Sequence, residues 1–124
     1  MDLNTDSTKP IYMQIAEWIE NEIIADRFLS DEKVYSQYQL AELFNINPAT
    51  AAKGLTILVE EHILYKKRGL GMFVALEAKN MILEKRRSET LTRMARELVH
   101  EARRLSVTEE ELIQLIKKCE EEQK

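Results

Sequence analysis

Residues 36–75 constrain this chain more than any other part of it. Two short amphipathic segments stand only a tight turn apart, and the hydrophobic period then changes from that of a helix to that of a strand. Ser36-Gln37-Tyr38-Gln39 is a capping box: the serine side chain serves a backbone N–H, and the glutamine three residues on answers it. Leu40, Ala41, Leu43 and Phe44 supply the apolar face of the short helix that this opens. Asn45-Ile46 reads as a tight turn, and Asn47-Pro48 starts a new helix with asparagine as cap and proline at the first position. This helix is expected to run to about Glu61 and to bury Ala51, Leu55, Leu58 and Val59. Residues 63–67 and 72–75 are strand-like, and Arg68-Gly69-Leu70-Gly71 between them predicts a hairpin.

The preceding segment completes a domain. Pro10 suits a helix start, since its missing N–H would be unpaired there. Ile11, Ile15, Ile19 and Ile23 then recur every fourth residue with Trp18 and Ile24 beside them, a helix of about four turns ending near Asp26. Residues 1–9 have no period and are expected to be flexible, and Lys33-Val34-Tyr35 reads as a small strand. The order helix, small strand, helix, turn, helix, hairpin is a winged helix-turn-helix. The fold class expected is therefore mainly α with a small β-hairpin wing, occupying residues 1–75.

Residues 76–124 read as a helical tail. Leu91, Met94, Leu98, Ala102 and Leu105 are spaced three, four, four and three apart, a coiled-coil-like seam that Leu83 and Ile82 extend towards the hairpin, interrupted by Arg86-Arg87. One helix is expected from about Leu76 to Leu105, long enough to reach about 45 Å. Thr108 and Glu111 form a second capping box, with Val107 and Leu112 placed as a hydrophobic staple. The last helix then presents Leu112, Leu115, Ile116 and Cys119 on one face. Leu83, Leu91, Met94, Leu98, Ala102, Leu105, Leu112 and Ile116 are the expected homodimer interface, so the tail reads as a two-helix dimerisation region.

Composition narrows the function class. The single cysteine, Cys119, excludes an intrachain disulfide and suits a reducing compartment. No apolar run approaches the roughly 20 residues that span a bilayer, so no membrane partner is expected. The opening MDLNTDSTK is polar and acidic, unlike a secretory signal, and a cytoplasmic protein is expected. His62 stands at a helix end and His100 on a polar helix face, neither in a metal-spaced cluster with Cys119. No glycine-rich phosphate loop, nucleophile elbow or HExxH pattern occurs. Catalysis, a metal and a cofactor are therefore not expected, and nothing polar converges to mark a small-molecule effector site.

The net charge is −4, with seven Lys/Arg against eleven Asp/Glu in residues 1–75. Distribution matters more than this sum. Between Lys33 and Val74 five basic residues face three acidic ones, and the acids crowd into the first helix at Glu17, Glu20, Glu22 and Asp26. A basic edge on an acidic body can bind double-stranded DNA. The second helix of the pair can enter the major groove with Asn47, Ala49, Thr50 and Lys53 exposed at its start. Thr50 can bond a phosphate or base edge, Ala49 can pack on a thymine methyl, and Lys53 can reach a phosphate or guanine. Lys66, Lys67 and Arg68 stand beside Gly69 and Gly71, where small residues let a hairpin tip enter the minor groove. Taken singly, a helix cap and a basic hairpin are ordinary surface features; in this order they are specific. The rival reading is a winged helix that binds another protein, favoured by the acidic first helix.

Residues 10–74 resemble the DNA-binding domain of the GntR-type regulators, and the short tail resembles their YtrA-like branch. The resemblance is carried by Pro10-Ile11-Tyr12 with Gln14-Ile15, Leu40-Ala41, Asn47-Pro48-x-Thr50-x-x-Lys53, and Arg68-Gly69-x-Gly71-x-Phe73-Val74. It implies a homodimeric repressor on a short palindromic operator, without a large effector domain, of the kind that often controls transporter genes. It also adds Ser36 and Tyr38 to the candidate DNA-binding residues. The family's Leu-Pro-Ser-x-Arg is here Val34-Tyr35-Ser36-Gln37-Tyr38, so a proline is lost and Tyr38 replaces an arginine that commonly contacts DNA. Arg27, Glu32 and His62 fall where glycines are usual. Weaker phosphate attraction or an altered operator is the expected consequence.

Overall fold

The computed structural model describes residues 3–5 and 7–124. It divides into two compact units, residues 1–84 and 85–124.

The first unit is built on α1 (Ile11–Ile24), α2 (Gln37–Phe44) and α3 (Pro48–Glu60), followed by β1 (Leu64–Lys67), β2 (Gly71–Val74) and α4 (Ala78–Lys85). Pro10 is the N-cap of α1, just ahead of the first helical position. The isoleucine stripe does what its spacing predicts, since Ile15, Ile19 and Ile23 are all buried. They meet Leu40 and Phe44 of α2, Leu55 and Leu58 of α3, and Leu64 and Val74 of the hairpin in one core. Side chains of this size contribute about 1.5–3 kcal/mol each on full burial. Val59 is only half-buried, while Gly54 is fully buried and permits the close approach of α3 to α1. A Cβ at Gly54 would lie 2.8 Å from the Tyr12 carbonyl oxygen.

The caps form as their side chains require. Ser36 Oγ accepts from the Gln39 N–H at 3.1 Å, and Gln39 Oε1 accepts from the Ser36 N–H at 2.8 Å. Asn45 ends α2 in the left-handed region at φ +55, and Asn47 Oδ1 accepts from the Ala49 N–H at 2.8 Å to start α3. The hairpin is antiparallel, pairing Leu64 with Val74 and Lys67 with Gly71, so Gly71 belongs to β2 and not to the loop. The small strand expected at 33–35 is a single bridge from Lys33 to Phe73, reinforced where Val34 N–H donates to Met72 O at 2.9 Å.

Several expectations are corrected. The arm before α1 is pinned: Gln14 accepts the Asn4 N–H at 2.9 Å and donates to the carbonyls of Asn4 at 2.8 Å and Lys9 at 3.0 Å. The part of the flexible segment at Met1, Asp2 and Asp6 lies outside the described residues. The left-handed positions flanking the loop after α1 are Asp26 (φ +62) and Asp31 (φ +64), one residue before Arg27 and Glu32 respectively. His62 does take the conformation a glycine would, at φ +64. The first unit also continues beyond residue 75, because Ala78 and Ile82 of α4 are buried in its core.

The second unit contains a π-helical stretch at Arg86–Thr90, then α5 (Leu91–Arg104) and α6 (Glu109–Glu122). The single helix expected from Leu76 is thus α4, this wider turn and α5 in succession. Thr108 and Glu111 form the predicted capping box, with Thr108 Oγ1 accepting from the Glu111 N–H at 3.1 Å. Val107 N–H donates to the Ala102 carbonyl at 2.8 Å, with Ser106 left-handed at φ +58, so the chain reverses tightly between α5 and α6. Ala102 is the one buried residue described in this unit, and Val107 and Leu112 are half-buried.

Candidate nucleic-acid interface

The α2–α3 pair presents the residues expected at a major groove. Ala49 and Lys53 are exposed and Thr50 is half-buried on the first turns of α3. Asn47 is exposed, but its Oδ1 is committed to the cap, which leaves its NH2 as the free group. Lys53 is held in place: its Nζ sits 4.0 Å from the centroid of the Tyr12 ring. A cation over an aromatic face gains about 0.5–1 kcal/mol at such a site and loses mobility. Tyr12 therefore belongs to this face, although sequence reading used it only as part of a motif. The pairing of α1 with α3 around Gly54 is what brings it there.

Ser36 is half-buried and Tyr38 is 69% exposed. The capping box occupies the Ser36 acceptor but leaves its hydroxyl proton free to donate. Tyr35, in place of a proline, stacks on Trp18 with ring centroids 6.1 Å apart and meets Phe28 edge-on at 5.3 Å. Trp18 also meets Phe44 at 5.1 Å. The lost proline is thus exchanged for an aromatic cluster that fixes the segment entering α2.

The wing does not gather its cations as expected. Alternation along β1 sends Lys66 and Lys67 to opposite faces. Lys67 lies over the Phe73 ring at 4.5 Å and the Tyr65 ring at 5.7 Å, whereas Lys66 and Gly71 line a concavity with Tyr38 of α2. Arg68 is exposed at the tip, beside Gly69 at φ +76 in a turn closed by Leu70 N–H to Lys67 O at 2.9 Å. A positive φ at the third position of such a turn favours glycine. Tyr65 anchors the wing base by donating to the Asp31 carboxylate at 2.6 Å, which raises the phenol pKa.

The electrostatics separate acids from bases. Glu17, Glu22 and Asp26 pair with Lys9, Arg27 and Lys79. Lys33, Lys53, Lys66, Lys67 and Arg68 have no carboxylate partner among the described residues. These five cations are available to an external anion. No cluster that could hold a metal ion occurs among the described residues, and no described helix is long and apolar enough to cross a membrane.

The expected interface residues of the tail divide by exposure. Leu91, Met94, Leu98, Leu105 and Ile116 are exposed, joined by Val99, Ile113 and Leu115. Leu98, Leu115, Ile116 and Cys119 share one groove. Ala102 is instead buried, Leu112 is half covered, and Leu83 lies half-buried on α4.

No protein-family model matches the chain. The uncharacterized HTH-type transcriptional regulator YhcF of Bacillus subtilis is 28% identical over 117 residues, 94% of this chain and 95% of that protein. A GntR family transcriptional regulator from Listeria monocytogenes superposes with a TM-score of 0.74 at 29% identity, covering 91% of this chain and 97% of that one. The structure of AraR(DBD) in complex with operator ORE1 matches with a TM-score of 0.53 at 32% identity, over 59% of this chain and 89% of that one. With the winged helix-turn-helix, its motifs and these likenesses together, the chain is a DNA-binding transcriptional regulator similar to those of the GntR family, and is not an enzyme.

Proposed function

We propose that this protein is a cytoplasmic, YtrA-like repressor that binds a palindromic operator as a homodimer. The carrying observation is the set of five cations without a carboxylate partner among the described residues, on α3, the wing and the segment before α2, while Glu17, Glu22 and Asp26 pair with other cations. Asn47, Ala49, Thr50 and Lys53 serve the major groove, and Arg68 at the Gly69 turn serves the minor groove. Ser36 and Tyr38 offer neutral donors to the backbone, and Lys66 and Lys67 add charge on either side of the wing.

Dimerisation is supported by the second unit. Ordering a residue costs about 1–2 kcal/mol in backbone entropy, and burial of Ala102 offsets little of that. Leu91, Met94, Leu98, Leu105 and Ile116 therefore take a second copy as their cover. Two half-sites spaced by about one helical turn (34–36 Å), or a multiple of it, follow. A dimer held across such a site blocks polymerase, and the YtrA-like resemblance points to transporter genes as targets.

The test is binding of the purified protein to DNA from the region upstream of its own operon across a salt series, with sedimentation at micromolar concentration. The expected results are a steep loss of affinity as salt rises and a dimer. Absence of binding at low salt would sink the DNA reading in favour of a protein-binding winged helix, and a monomer would overturn the dimer. Sequencing the DNA the protein selects identifies the operator.

A further inference from the structure

One cation of the DNA-binding face lies outside the motifs that define it. Lys33 stands ahead of α2 and is joined to β2 by its bridge to Phe73. That bridge lays its aliphatic stem across Gly71: a Cβ there would lie 2.8 Å from Lys33 Cε and 3.5 Å from Nζ. Gly71 also has φ +119, so the wing keeps a bare Cα at the point where the lysine crosses it. Lys33, Ser36, Tyr38, Lys66 and Gly71 line one concavity of about 220 Å³ between the start of α2 and the wing. Lys33 is exposed and has no carboxylate partner among the described residues. Tyr38 contributes a hydroxyl to this concavity and no charge.

We propose that Lys33 is a DNA-backbone contact, its ammonium holding the phosphate that passes between α2 and the wing, with the Tyr38 hydroxyl as a second donor. An ammonium offers three N–H donors to the non-bridging oxygens, and its charge supplies what a neutral phenol at position 38 cannot. The packing over Gly71 limits the freedom of the stem, so less entropy is lost when the phosphate arrives. This rests on the DNA-binding reading and adds a contact on the side of α2 facing the wing. The contact is independent of base sequence, because a phosphate carries none.

The experiment uses the full chain and a mixed-sequence duplex, with fluorescence anisotropy across a potassium chloride series. Lys33→Met keeps the stem over Gly71 and removes the charge, whereas Lys33→Arg keeps the charge. Lys33→Met is expected to lower the slope of log K against log salt by about one per lysine removed and to weaken low-salt binding about tenfold. Lys33→Arg is expected to keep both near wild type, and thermal melting checks that each variant is folded. A folded Lys33→Met protein with the wild-type slope overturns the proposal and leaves the DNA-binding reading standing. A wild-type protein that binds no duplex at low salt overturns both.

Discussion

The two units of this molecule use the same kinds of residue to opposite ends. In the first, Ile15, Ile19, Leu40, Leu58 and Ile82 close on one another until almost nothing of them meets water. In the second, Leu91, Met94, Leu98, Leu105 and Ile116 stay open, with Ala102 alone buried among the described residues. A helical stripe therefore does not announce whether its partner is in the same chain. What differs is the number of elements that contribute to the cover: α2, α3, the hairpin and α4 all join α1 in one core, while the second unit has only α5 and α6 after its π-helical stretch. The first unit reads as a self-sufficient body, whereas the second leaves its apolar stripe uncovered.

That contrast is open to direct attack. Removal of residues 85–124 should leave the first unit folded but monomeric. Operator affinity should then fall roughly 100-fold or more as the second half-site becomes an independent binding event; a shortened chain that still sediments as a dimer would place the interface elsewhere. Point substitutions sharpen the comparison. Leu58→Ala should cost about 2–5 kcal/mol at any protein concentration, because it hollows a sealed core. Leu98→Ala should instead produce a loss that grows on dilution, since what it weakens is association. Equal, concentration-independent losses from the two would erase the distinction.

Smaller effects probe how each unit is stitched. His62→Gly should stabilise the first unit by about 1 kcal/mol, because the native φ of +64 penalises a side chain; chemical denaturation would show it as a higher midpoint with an unchanged slope. The gentlest test is pH. In the second unit the Thr108 N–H and hydroxyl lower the Glu111 pKa, so this cap is present above the usual carboxylate range and is lost as pH falls through the lowered value. In the first unit Tyr65 has its pKa raised, first by its bond to Asp31, so that contribution is present below the usual phenol range and is lost as pH rises through the raised value. Glu111→Gln should remove the acid sensitivity of helicity, and Tyr65→Phe the alkaline sensitivity of the wing.

How much was legible beforehand follows the range of the interactions. Ser36 with Gln39, Asn47 with Ala49 and Thr108 with Glu111 act within three residues, and each forms as its spacing predicts. The hairpin is equally local, since Gly69 writes its turn into the sequence. Features needing distant partners were not readable. Ala78 and Ile82 look like part of a tail until they are seen buried in the core of the first unit. Gln14 looks like a surface residue until the arm folds back onto it, and Arg86–Thr90 carries no residue that announces a wider helical turn. On the candidate DNA-binding face, α3 and the wing turn were visible as motifs. The settings of Lys53 over Tyr12 and Lys67 over Phe73 depend on side-chain directions across neighbouring elements. Lys33 was visible as a charge in a short strand-like segment, but its place beside Gly71 depends on a single bridge between segments far apart in the chain.

The aromatic cluster that replaces the lost proline has an optical consequence. Trp18 is the only tryptophan in the chain, and it stacks on Tyr35, three residues from the exposed Tyr38. Any DNA-driven adjustment at the start of α2 must pass by the one indole in the molecule. Its emission should therefore shift when a duplex docks, giving the unlabelled protein a built-in optical sensor of occupancy.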